Sequence, residues 1–183
     1  MTKKRAAIII VLAIVLFVFS LSFDFVPTGY TGIRVTFGKV SEQPVPTGFT
    51  WKTPFVQRIE TVNNKQQAKY ISGQIWSESS DRTAMYYDGV AITYTINPAK
   101  SVWIYSNVTN YEDNLILQSD VTSAVKSVSK TLNSTEVTNR GIVEPKVMEA
   151  LQKIFDSKYG EDTITIYKIS ITNADFEDSY NKA

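Results

Sequence analysis

Residues 6 to 23 read AAIIIVLAIVLFVFSLSF, eighteen positions without a charge, a proline or a glycine. No other feature limits the chain as much. A helix of that length extends about 27 Å at ~1.5 Å per residue, close to the thickness of a bilayer's hydrocarbon core. It is apolar on every face, so it has no polar side to turn to water. The expectation is a transmembrane anchor over 6–23, with Ile8, Ile9, Ile10, Val11, Leu12, Ile14, Val15, Leu16, Phe17, Val18 and Phe19 in the lipid. Lys3, Lys4 and Arg5 lie in the short basic segment 1–5, and Asp24 is the first charge after the run. Basic flanks stay on the cytoplasmic or matrix side, which places the remainder in the periplasm or intermembrane space. The rival reading is a cleaved signal peptide, with Ser20 and Ser22 as a weak small-x-small site. The length of the run favours a retained anchor.

Beyond the anchor the chain carries 16 of its 19 basic residues and all 18 acidic ones, a net charge of −2. That balance offers no basic footprint for nucleic acid. There is no cysteine and no histidine. Thiolate chemistry is thereby excluded, and the commonest general base and commonest metal ligand are missing. Composition speaks for a non-enzyme without cofactor or metal.

Local patterns then give an order of elements. Residues 26–29 (VPTG) read as a turn and 30–37 (YTGIRVTF) as a strand. A loop over 38–48 with Pro44 and Pro46 is followed by TWKTPF, a strand at 56–62 and an extended stretch over 65–76. In TAMYYDGVAITYTI, Asp88-Gly89 predicts a two-residue hairpin turn. Pro98 predicts a short helix packed through Val102, Trp103 and Tyr105. Asn110 is a candidate cap for a helix with Leu115, Leu117, Val121, Ala124, Val125, Val128 and Leu132 inward. Asn133 and Glu136 form a capping-box pattern opening another helix, which Pro145 should kink or restart and Gly160 should end. TITIYKISIT at 163–172 is the last strand. Strands first, helices next and a closing strand predict an α+β fold with a mostly antiparallel sheet and packed helices.

Several of these pieces resemble a known family. VPTGYTGIRVTFGKV followed by PVPTGFTWKTPF is similar to the opening of the stomatin/prohibitin/flotillin (SPFH, band 7) family. YYDGVAITYTINP resembles that family's hairpin, and ISITNADFEDSYNKA its exit. The resemblance implies an SPFH/band 7-like domain over 24–174 and the start of a C-terminal helix over 175–183. It is closest to prohibitin-like proteins and the bacterial regulators of the membrane AAA+ protease. Family members continue into a long helical region where this sequence stops. The function implied is a non-enzymatic membrane scaffold that oligomerises with itself or related subunits, organises lipids and membrane proteins, and modulates a membrane AAA+ protease. The alternative is a short member that caps or inhibits assembly of longer relatives.

Each candidate site has a plainer reading beside it. Tyr30, Phe49, Trp51, Lys52 and Phe55 are expected as an aromatic loop at the membrane interface, or as core filling. The resemblance favours the membrane. Asp175, Phe176 and Tyr180 are the expected oligomer contact. Ser123 and Lys126 have the spacing of a Ser-Lys nucleophile pair, repeated by Ser127 and Lys130, but the partner motifs of such enzymes are absent and a solvated helix face explains both. Glu112 with Asp113, and Asp175 with Glu177 and Asp178, read as helix starts rather than metal ligands.

Overall fold

The computed structural model describes residues 3–177. The chain forms two compact units, residues 1–64 with 98–107 and residues 65–97 with 108–183.

The first unit begins with helix α1, Lys3–Ser20. The expected anchor over 6–23 is therefore corrected at both ends. The helix starts among the basic residues and stops short because Phe23 is drawn into a strand. Its end is closed locally: Ser20 and Ser22 donate their hydroxyls to the carbonyls of Phe17 and Val18 (2.7 and 3.1 Å), and Ser22 N–H bonds Phe19 O at 3.0 Å. The uncharged helical part, residues 6–20, is about 22 Å long against a hydrocarbon core of ~30 Å. Among the described residues no helix is long and apolar enough to cross a membrane.

Five strands follow: β1 (Phe23–Val26), β2 (Tyr30–Thr36), β3 (Lys39–Val40), β4 (Gly48–Trp51) and β5 (Gln57–Asn63). They pair antiparallel as a β1–β4 ribbon and a β3–β2–β5 sheet. Strand β2 buries Ile33 and Val35, with Val62 of β5, opposite Thr31, on the same face. Gly32, on its opposite side, lets two segments lie against the strand: an added Cβ would stand 2.7 Å from Val26 Cγ2 and 2.9 Å from Val45 Cβ. Its backbone also exchanges both hydrogen bonds with Val45. A 3₁₀ turn (Pro98–Lys100) and helix α2 (Ser101–Asn107) complete the unit, joined to β2 through Asn64, which bonds Thr31 and Ser101.

The second unit is a three-stranded antiparallel sheet, β6 (Gln67–Glu78), β7 (Ala84–Ile96) and β8 (Ile164–Phe176), in that order. The expected hairpin at Asp88-Gly89 is not formed. Strand β7 runs straight through it, and Gly89, at φ +62°, lies opposite a bulge in β6, where Ser72 and Gly73 face that single residue. Inward positions Met85 and Tyr87 shift phase to Val90, Ile92, Tyr94 and Ile96 across that residue. The extra residue that accompanies the shift lies in β6, between Ile71 and Gln74, while β8 keeps step with Asn173 opposite Asp88 and Ile171 opposite Val90. A two-residue turn does form at Phe37-Gly38, between β2 and β3, with both φ positive (49° and 83°).

Helices cover the inward face. The helix expected from Asn110 is divided into one turn, α3 (Tyr111–Asn114), and α4 (Gln118–Ser129). The break at 115–117 sends the neighbours Leu115 and Ile116 both into the core. Asn133 and Glu136 do make reciprocal capping bonds (3.0 and 3.3 Å), but they close only a turn. Helix α5 (Arg140–Tyr159) starts later, with Asn139 accepting from Gly141 N–H. It is continuous through Pro145 and ends at Gly160, as expected. The expected helix start at Asp175 is also corrected: Asp175 and Phe176 finish β8 opposite Tyr86 and Met85, and Glu177 N–H bonds Ala84 O.

Candidate membrane-contact site

Two parts of the first unit's exposed apolar surface adjoin each other. The first is α1, on which all eleven residues expected in lipid are exposed, from Ile8 to Phe19. A patch of that extent far exceeds the few hundred Å² a soluble surface ordinarily leaves open.

The second part is the β1–β4 ribbon. Alternation places Phe23 and Phe25 on one face of β1, and the register sets them opposite Trp51 and Phe49. Phe19 at the end of α1 meets this face edge-on, with ring centroids 5.0 Å from Phe23 and 5.6 Å from Trp51. Phe23 packs on Trp51 at 4.9 Å and on Phe49 at 5.0 Å. Such pairs add about 0.5–1.5 kcal/mol each beyond area burial, yet Phe25 and Phe49 remain 63% and 69% exposed. An aromatic cluster that holds itself together and still faces outward has apolar surface to spare.

Charge sits behind this face. Asp24, between the two phenylalanines, pairs with Lys52 Nζ at 2.7 Å. Burial raises the Asp24 pKa, but the Lys52 ammonium and the Phe25 N–H outweigh it and leave the carboxyl below its ordinary range. Arg34 donates to Trp51 O (2.8 Å), Thr50 Oγ1 (3.2 Å) and Gln57 Oε1 (3.0 Å), tying the ribbon to β2.

Of the expected interface residues, Phe49, Trp51 and Lys52 come together here, although Phe49 and Trp51 are strand residues rather than loop residues. Phe55 is in a loop, 83% exposed with φ 63°. Beside it stands Phe37, 82% exposed at the β2–β3 turn, whose N–H bonds Val56 O at 3.1 Å. Tyr30 does not join them. It is half-buried at the start of β2 and lines a separate cavity of about 350 Å³ with Pro44, Val45, Pro46 and Pro98. Phe23, Phe25 and Phe37 were missed as site residues. The first two were legible in the alternation FDFV, which matches FTW in β4.

The other candidates are placed as follows. Asp175 Oδ1 accepts from Phe176 N–H within β8, and Tyr180 lies outside the described residues. Ser127 gives its hydroxyl to Ala124 O (2.8 Å). Glu112 and Asp113 occupy the first turn of α3. Among the described residues no group of three or more Asp or Glu side chains converges as a metal site.

Antiparallel sheets with packed helices, entered through an apolar helix, define the class: an α+β domain of a family generally associated with membranes. The chain belongs to the SPFH domain / Band 7 family, whose profile matches residues 25–183. Comparison with curated proteins finds no significant match.

Proposed function

We propose that this protein is a non-enzymatic, membrane-attached scaffold of prohibitin type. Helix α1 inserts with its N-terminus cytoplasmic or in the matrix, and the aromatic ribbon holds the first unit against the opposite membrane surface. The observation that carries this reading is the continuity of α1 with the cluster of Phe19, Phe23, Phe49 and Trp51. The rings of that cluster sit at the interface beside the end of the ~22 Å helix, where Trp is favoured. Lys4 and Arg5 can extend their stems to the far headgroups. The remaining shortfall is met by local thinning of the bilayer around a short helix.

The partners are membrane lipid, further copies of the chain or related subunits, and a membrane AAA+ protease whose substrates such an assembly would shield. Family membership and the order of motifs support that part. The test is protease protection in sealed vesicles combined with crosslinking. Cleavage of the second unit only from the side opposite the N-terminus, with crosslinked oligomers, is the expected result. A product released by alkaline carbonate, or one that stays monomeric at high concentration, would overturn the reading.

A further inference from the structure

The second unit's sheet has two edges, and they are treated differently. Along β8 the outward backbone groups are taken by side chains of α5. Gln152 donates to Ile164 O (2.8 Å) and accepts from Ile166 N–H (3.0 Å). Glu144 accepts from Ile171 N–H (2.8 Å), and Arg140 donates to Ile171 O (2.9 Å). A strand so covered cannot recruit another chain.

Strand β6 has no such cover. Among the described strands it pairs only with β7. Among the described residues, nothing bonds the outward backbone groups of 68–78. Alternate residues of a strand point N–H and C=O away from their one neighbour, so this edge is a template for pairing.

Beside its C-terminal half lies a groove of about 370 Å³, lined by Trp76, Ser77 and Glu78 of β6, Ala84, and Lys126 and Lys130 from the end of α4. Trp76 is half-exposed and braced by Tyr86 at 5.2 Å. Ser77 Oγ is shut off from solvent and has no hydrogen-bond partner. Among the described residues neither lysine has a carboxylate within ion-pair distance, and with Glu78 the one acid in its lining the groove is net positive.

We propose that this edge is a docking site for an extended acidic peptide segment of a partner protein. The segment adds as a fourth strand against 74–78, its backbone satisfying the open edge. Alternate side chains point toward α4, where carboxylates meet Lys126 and Lys130, while an apolar neighbour lies on Trp76. An open strand edge flanked by a helix is the arrangement peptide-binding domains use for strand addition, in which main-chain bonds give affinity and flanking side chains choose the sequence. The inference uses the second unit alone and does not rest on membrane attachment.

The probe is a fluorescein-labelled hexapeptide of alternating valine and glutamate, titrated by anisotropy against the full chain in nonionic detergent at low salt. Saturable binding is expected, with protection of amide hydrogens in 74–78 from exchange. The double variant Lys126→Glu/Lys130→Glu should weaken it by roughly tenfold or more, since each exposed pair is lost and reversed. N-methylation of alternate peptide bonds should abolish it. A valine/lysine peptide should not compete. Absence of saturable binding, equal affinity for the lysine peptide, or unchanged affinity in the double variant would each overturn the proposal. Flotation of that variant with vesicles should stay normal, which separates a failure here from a failure of the membrane reading.

Discussion

Two aspartates on α1 test whether the helix inserts. The eleven large apolar residues from Ile8 to Phe19 each favour the bilayer by ~0.3–0.6 kcal/mol, roughly 3–7 kcal/mol in all. An aspartate near the helix centre costs ~2.5–3.5 kcal/mol. Val11→Asp/Val15→Asp therefore costs about 5–7 kcal/mol, enough to cancel the drive, whereas either substitution alone leaves it weakened. Val11 and Val15 lie one turn apart and are 60% and 57% exposed, so the double variant removes little packing and buries no charge in the protein. The fold should survive, reported by an unchanged near-ultraviolet dichroism spectrum. The assay is flotation with phospholipid vesicles followed by alkaline carbonate. Wild type and the control Val11→Leu/Val15→Leu should remain in the membrane fraction, and the double aspartate variant should be extracted. If it stays bound like wild type, α1 is not what holds the protein to lipid.

Three further outcomes follow from the fold. Gly89→Ala should destabilise the protein by about 2–4 kcal/mol in urea unfolding, combining a left-handed φ with overpacking against Thr172 Oγ1 and Tyr70 Oη, which would lie 2.7 and 2.5 Å from the new Cβ. Gln152→Ala removes two side-chain bonds to the β8 edge; a loss of about 1–3 kcal/mol and faster aggregation in light scattering are expected, and a variant that stays as soluble as wild type would refute edge protection. Asp81 is held well below the usual carboxylate range by hydrogen bonds from Ser79 and Ser134. Because the folded pKa is depressed, its stabilisation is present above the unfolded value of ~3.9 and is lost as pH falls toward the folded one. Asp81→Asn should accordingly lower the melting temperature at pH 7, with the gap to wild type closing in strong acid.

The legible parts of the fold were those in which one residue type has one local use. Gly160 ended its helix, and Asn133 with Glu136 made the capping bonds their spacing called for. The illegible parts were choices between two uses of the same signal. Asp88-Gly89 offers positive φ, which serves a turn or a place opposite a bulge equally. What distinguishes them is the phase slip between Tyr87 and Val90, visible only once β6 and β8 supply partners on both sides. Leu115 and Ile116 fit a helical face until both are required in the core. The apolar helix was misplaced at its ends for a related reason. Hydropathy sees Phe23 as apolar in either setting, while pairing with Trp51 decides that it is a strand residue. Tyr30 was grouped with the interface aromatics by composition, and its register opposite Asn63 sets it apart.

The placement of charge gives the candidate site its internal logic. Lys4 and Arg5 stand at one end of the apolar zone, and the Asp24–Lys52 pair at the other. A carboxylate alone among phenylalanines at a lipid boundary would be costly to desolvate. Paired at 2.7 Å with a lysine from the neighbouring strand, it presents no net charge there. Lys52 N–H also bonds Ser22 O at 2.8 Å, so the same residue links the end of α1 to the ribbon. Arg34 secures β4 from behind, through the carbonyl of Trp51. The polar groups are thus spent on fixing the ribbon to α1 and β2, and the outward face is left to Phe25, Phe49 and Trp51. A ribbon that only filled a core would turn those rings inward. This one spends its hydrogen bonds on holding them out.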